Sequence, residues 1–105
     1  MTDLSTDVSS DEDGTRLTVK GRITIDSSPA LRDRILAILS LRPPSSLTID
    51  LTSVPYIDTS GLATLLEALK VARASKTALR LQLHDRPRYL LDVTGLLRFF
   101  QVAGS

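Results

Sequence analysis

The chain has no cysteine, no tryptophan and a single histidine among its 105 residues. Without thiols there is neither a disulfide framework nor a thiolate nucleophile. One imidazole cannot build a metal centre, and hydroxyl nucleophiles would have no second histidine to work with. Aromatic residues make up only 4%, so there are no stacking platforms and the core falls to Leu, Ile, Val and Ala. The five glycines stand singly, which leaves neither a Gly-x-x-x-x-Gly-Lys-[Ser/Thr] phosphate loop nor a Gly-x-Gly-x-x-Gly fingerprint. No stretch approaches the roughly 20 apolar residues that cross a bilayer. The first residues, Met1 to Asp7, hold neither a basic region nor an apolar run, so no secretory signal is read there and a cytoplasmic protein is expected.

What is present is ordinary globular material, 42% hydrophobic and 24% charged, at a length that suits one domain, residues 1–105. The formal net charge is +1, but Asp3, Asp7, Asp11, Glu12 and Asp13 give residues 1–13 five acids and no base. The remainder therefore holds 13 basic against seven acidic side chains, a moderate basic bias. Those cations are dispersed and lack interleaved aromatics, so direct nucleic-acid binding is not expected. Charged helix faces exposed to solvent account for them.

The hydrophobic pattern sets the order of elements. Leu4 to Ser10 alternates weakly, as an edge strand does, and Asp11-Glu12-Asp13-Gly14 reads as a turn into a second strand over Arg16 to Gly21. Ser28 followed by Pro29 predicts a helix cap and first turn, with Leu31, Ile35, Ile38 and Leu39 at helical offsets, ending before Pro43-Pro44. A strand is expected over Leu47–Leu51. Leu62, Leu65, Leu66, Leu69 and Ala72 then predict an apolar helix face to about Ala74, with Glu67, Lys70 and Arg73 on the outer face. Ala78–Leu83 alternates as a strand. Asp85 is placed to cap a short helix through Leu90, Leu91 and Val93 that closes at Gly95, and Phe99 to Val102 adds a last extended piece. Strands separated by helical crossovers, after one hairpin, predict an α/β domain with a mixed, mostly parallel sheet and three to four helices.

Ligand and partner sites gather beyond the carboxyl ends of such strands. Tyr56-Ile57-Asp58-Thr59-Ser60-Gly61-Leu62 lies at one, where two hydroxyls and a carboxylate meet a helix N-terminus whose free N–H groups favour negative charge. Asp58 or Thr59 caps that helix. A kinase could also use the segment as a substrate: a phosphate on Thr59 would add about −1.5 to −2 charge beside Asp58 and repel or desolvate a docked partner while the local fold persisted.

Enzyme chemistry finds less support. His84 beside Asp85 is the sole imidazole and is read as structural. Asp26, Asp50 and Asp58 fall near strand ends and are the only candidates to hold Mg²⁺; solvated or capping roles are favoured, so no metal or cofactor is expected.

The pattern resembles the STAS domain, and within it the stand-alone bacterial anti-sigma factor antagonists. The resemblance rests on Leu17-Thr18-Val19-Lys20-Gly21-Arg22-Ile23, Leu47 to Leu51, the Asp58-Thr59-Ser60-Gly61-Leu62 signature, and Thr94-Gly95-Leu96. It implies that Thr59 is phosphorylated by an anti-sigma factor that is itself a Ser/Thr kinase. It implies further that the unmodified antagonist binds this partner so that a sigma factor is released, and that a cognate phosphatase reverses the modification. Asp58, Thr59, Ser60, Gly61 and Leu62 would form the partner-binding segment, without membrane insertion. Two departures stand out: Thr59 occupies a position more often Ser, and Thr24 stands where the family often has Asp in Gly-x-Leu-Asp, with Asp26 two residues on. Similar STAS domains are also non-catalytic subunits of ABC-type lipid transport systems, where Thr59 would be a cap and a contact with the ATPase subunit.

Overall fold

A computed structural model describes residues 4–95 and 97–102. Strand β1 (Leu4–Asp11) turns through Glu12 and Asp13 into β2 (Gly14–Ile23), and the two pair antiparallel with Asp11 opposite Gly14. Helix α1 (Ser28–Ser40) leads to β3 (Ser46–Ile57), α2 (Thr59–Ala74) to β4 (Ala78–Leu83), and α3 (Asp85–Val93) through a 3₁₀ turn at Leu97–Phe99 to β5 (Gln101–Val102). The strands lie in the order β1-β2-β3-β4-β5, with the last three pairings parallel. This is the mixed, mostly parallel α/β sheet that the hydrophobic pattern predicts, with three helices.

The strand order determines where the helices go. Each crossover moves one strand in the same direction, and right-handed connections then put every helix on one face. Residues on that face form the core: Leu17 and Val19 from β2, Leu47, Ile49 and Leu51 from β3, and Leu79 and Leu81 from β4 pack with Leu31, Ile35, Leu39, Leu65, Ala68 and Leu91 of the helices. Among the described residues no helix lies over the opposite face, and the β2–β4 residues that face it are polar. There Arg16 Nη1 donates to Asp50 Oδ2 at 3.1 Å and to Gln82 Oε1 at 2.6 Å, linking three strands. One covered face explains why β4 alternates apolar and polar, where a parallel strand sandwiched by helices would be apolar throughout.

Strand β3 is longer than its alternation suggests. Thr18 and Lys20 of β2 face Asp50 and Ser53, and Lys20 and Arg22 face Ser53 and Tyr56, so β3 takes one extra residue in each interval. These bulges change the spacing of buried positions from two (Leu47, Ile49, Leu51) to three (Val54, Ile57). Alternation therefore stops at Leu51, the expected strand end, although the strand continues to Ile57.

Other boundaries shift for local reasons. The cap of α1 is Ser27, one residue before the expected Ser28, and its hydroxyl is used elsewhere: it donates to Arg22 O at 2.8 Å and accepts from Thr24 N at 3.0 Å. The cap of α3 is His84, whose Nδ1 accepts from Arg86 N at 3.3 Å, so Asp85 is the first helical residue. Leu66 is exposed rather than part of the packed stripe, and Glu67 faces α1, where Arg32 Nη2 and Nε reach its carboxylate at 2.8 to 3.0 Å. Phe99 belongs to the 3₁₀ turn, so the final extended piece is only Gln101–Val102. Gly95 closes α3 at φ +77, with its N–H on Asp92 O, while Leu96 lies outside the described residues. No helix among the described residues is long and apolar enough to cross a membrane.

Candidate functional site

The two bulges in β3 turn Ile57 into the core, so the next residue, Asp58, arrives at the end of the sheet with extended backbone (φ −95, ψ −173) and caps α2. Its Oδ1 accepts Gly61 N–H at 3.1 Å and the Ser60 hydroxyl at 2.5 Å. Its Oδ2 accepts Ile25 N–H at 2.9 Å, from the loop between β2 and α1. A backbone bond from Asp58 N to Ile23 O, 3.0 Å, closes the same junction. The Ser60 hydroxyl bond is the main influence that holds the Asp58 carboxyl below its ordinary pKa; burial opposes it, and the amides of Gly61 and Ile25 add to the lowering.

The two neighbouring hydroxyls have different fates. Ser60 Oγ, half-buried, donates to Asp58 and lies 3.2 Å from Ser28 Oγ at the start of α1. Thr59 is the first residue of α2, exposed, and its hydroxyl has no hydrogen-bond partner among the described residues. A hydroxyl that bridges two helix starts resists an incoming reagent. One without a partner has nothing to give up.

Gly61 is buried because α2 starts pressed against the sheet: a Cβ there would sit 2.5 Å from Ile57 Cγ2 and 2.7 Å from Ile23 Cγ2. Leu62 is half-buried against the core. The segment Asp58–Leu62 thus places its apolar and capping groups inward and Thr59 outward. Ile25, held at its amide by Asp58, is 73% exposed and adds an apolar side chain beside the helix start. Sequence reasoning missed Ile25 and Ser28, since both reach the site through tertiary contacts.

The remaining candidates disperse. Asp50 is occupied with Arg16 and with Thr52 Oγ1 at 2.6 Å on the open face of the sheet, seven residues and roughly 23 Å of strand before Ile57. Asp26 is exposed in the β2–α1 loop, and its N–H donates to Thr24 Oγ1 at 3.2 Å. Among the described residues no three His, Asp or Glu side chains converge as metal ligands. His84 serves as a cap. Thr24, where the resembling family often has Asp, brings no carboxylate to the loop beside Asp58.

A family model described as "Mlab, STAS domain" matches residues 6–104, and the chain belongs to the STAS domain family. It is similar to the anti-sigma-B factor antagonist of Bacillus subtilis, with 28% identity over 103 residues that cover 97% of this chain and 93% of the relative. The fold is shared with an anti-sigma factor antagonist from Mycobacterium paratuberculosis, at TM-score 0.81 and 23% identity over 97% of this chain and 86% of that one. The anti-sigma factor antagonist SpoIIAA, in its unphosphorylated form, superposes with TM-score 0.78 at 13% identity, covering 96% and 90% of the two chains.

Proposed function

We propose that this chain is an anti-sigma factor antagonist that binds an anti-sigma factor with Ser/Thr kinase activity, thereby releasing a sigma factor, and that phosphorylation of Thr59 ends the binding. The observation that carries the reading is the exposed, unpartnered Thr59 hydroxyl next to a Ser60 hydroxyl already held by Asp58. In this reading the chain is substrate and ligand, not enzyme. Thr59 Oγ1 attacks the γ-phosphorus of ATP bound to the kinase, its proton passes to the kinase's base, and ADP leaves. The chain's own contribution is positional: the completed Asp58 cap fixes the first turn of α2, and the helix N-terminus accommodates the added charge.

The docking segment is Asp58, Thr59, Ser60, Gly61 and Leu62, with Ile25 beside it. A phosphate on Thr59 would leave Asp58 and its bonds in place, since none of them involves the Thr59 hydroxyl. Fold and binding are separable in this way, and a phosphatase that cleaves the ester returns the binding form. The test is phosphate mapping by mass spectrometry after incubation with the cognate anti-sigma factor and ATP. The reading requires modification at Thr59 in the wild type and in Ser60→Ala, and none in Thr59→Ala; phosphate incorporated equally into Thr59→Ala overturns it.

The second reading, a non-catalytic subunit of an ABC-type lipid transport system, draws on the completeness of the cap, which needs no modification to satisfy Asp58. It requires copurification with an ATPase subunit that Thr59→Ala and Thr59→Glu leave unchanged.

A further inference from the structure

Helix α3 has two apolar stripes, and the core uses only one. Pro87 and Leu91, a turn apart, are buried. Leu90 and Val93 lie on a second stripe that continues from Arg86 at i, i+4 and i+7, with Tyr89 along its edge. Tyr89 is 70% and Val93 58% exposed. This stripe borders a depression of about 160 Å³ lined by Pro55, Tyr56, Ile57, Arg86, Pro87 and Leu90. The bulged end of β3 supplies the opposite wall, and the cavity can accept one large apolar side chain.

The charged residues that line it or stack on its wall are cations. Arg86 lines the depression, and the Arg22 guanidinium stacks over the Tyr56 ring at 4.7 Å from its centroid. Neither cation has an ion-pair partner among the described residues, whereas Arg16 and Arg32 do. The carboxylates of α3, Asp85 and Asp92, project on the far flank of Tyr89, about 100° or more around the helix from the groove. Both of the chain's tyrosines are here, partly exposed, with two arginines. Tyr and Arg with an apolar floor is the composition of protein-interface hot spots. Two cations are too few for a nucleic-acid track.

We infer that the groove between the end of β3 and the Arg86–Val93 stripe of α3 is a docking site for a partner-protein segment that places an apolar side chain in the depression and an Asp or Glu against Arg86 and Arg22. The site does not depend on the state of Thr59. An acidic group there gains charge-assisted hydrogen bonds from guanidinium groups that have no internal competitor, and Tyr56, already stacked under Arg22, supplies a rigid apolar wall.

The test is photocrosslinking in cells from p-benzoylphenylalanine at Tyr89, with Leu41, 91% exposed at the end of α1, as the control position. The crosslinked segment is then mapped by mass spectrometry. The inference requires a segment of another protein with an acidic residue near an apolar one, crosslinked from Tyr89 and not from Leu41. Arg86→Glu must lower the yield about tenfold, and exchanging the mapped acid for Arg must restore it. Arg22→Glu provides an independent charge reversal, and circular dichroism establishes that each variant is folded. A neutral or basic segment, a crosslink to a second copy of this chain, no crosslink, or a yield indifferent to both reversals overturns it. Thr59→Ala, run in parallel, separates this result from the phosphorylation reading: the groove crosslink persists there whether or not Thr59 is a phosphosite.

Discussion

Asp58 Oδ2 accepts the backbone N–H of Ile25 at 2.9 Å across 33 residues of sequence, so the cap of α2 also fixes the loop that leads into α1. The other oxygen of the same carboxylate holds Ser60 and Gly61. One side chain thus sets the relative position of an exposed hydroxyl, Thr59, and an exposed apolar residue, Ile25.

The pH dependence of stability follows from this arrangement. Because the fold favours ionised Asp58, its contribution is complete above the unfolded-state pKa of about 4 and is lost as pH falls through the lower folded-state value. Glu67, lowered by its bond to Arg32, acts in the same direction. Asp58→Asn should therefore flatten the acid limb of the stability curve without abolishing it, as read by urea unfolding between pH 6 and about 3. An unchanged acid limb would show that Asp58 is not held as described.

Ser60 and Thr59 should separate by stability as well as by chemistry. Ser60→Ala removes a hydrogen bond to a carboxylate and a contact with Ser28, and should cost about 1–2 kcal/mol. Thr59→Ala removes no internal bond and should fall within about 0.5 kcal/mol of wild type. Denaturant midpoints at constant m-value measure both.

Gly61 is a packing requirement. Gly61→Ala drives a methyl group against Ile23 and Ile57 and should destabilise by about 1–3 kcal/mol, despite the better helix propensity of alanine. A stabilised Gly61→Ala would mean that α2 can lift from the sheet at little cost.

At the other end of α2, Thr77 N–H bonds to Ala72 O and Lys76 N–H to Arg73 O, the pair of bonds that closes a helix through a left-handed residue. That residue is Lys76, at φ +58. Lys76→Gly should relieve about 1 kcal/mol and raise the melting temperature by about 4 °C. No change would indicate that the left-handed turn costs lysine nothing here.

The local half of this design is legible in the residues. Asp58 before Thr59-Ser60-Gly61 can be read as a helix start because capping is a contact across three residues, and the alternation of Leu79, Leu81 and Leu83 marks a strand with one covered face. The bulges that extend β3 to Ile57 disguise its end, because they change the spacing that identifies a strand. Ser27 and His84 displace the expected caps by one residue, since the Ser27 hydroxyl has a better use in the preceding loop and a histidine Nδ1 can accept as a carboxylate does. Ile25 leaves no signal and Ser28 only that of a helix cap: their links to Asp58 and Ser60 exist only once β2 and β3 are side by side.

The proposed switch is a single phosphate on Thr59 that abolishes partner binding while the fold persists. It is tested most directly by calorimetric titration of the cognate anti-sigma factor with unmodified chain and with chain phosphorylated stoichiometrically at Thr59, their folds compared by circular dichroism. The spectra should match, and the affinity should be weakened by at least about a hundredfold in the phosphorylated form. Equal affinities of the two forms, with the phosphate verified on Thr59, would contradict it.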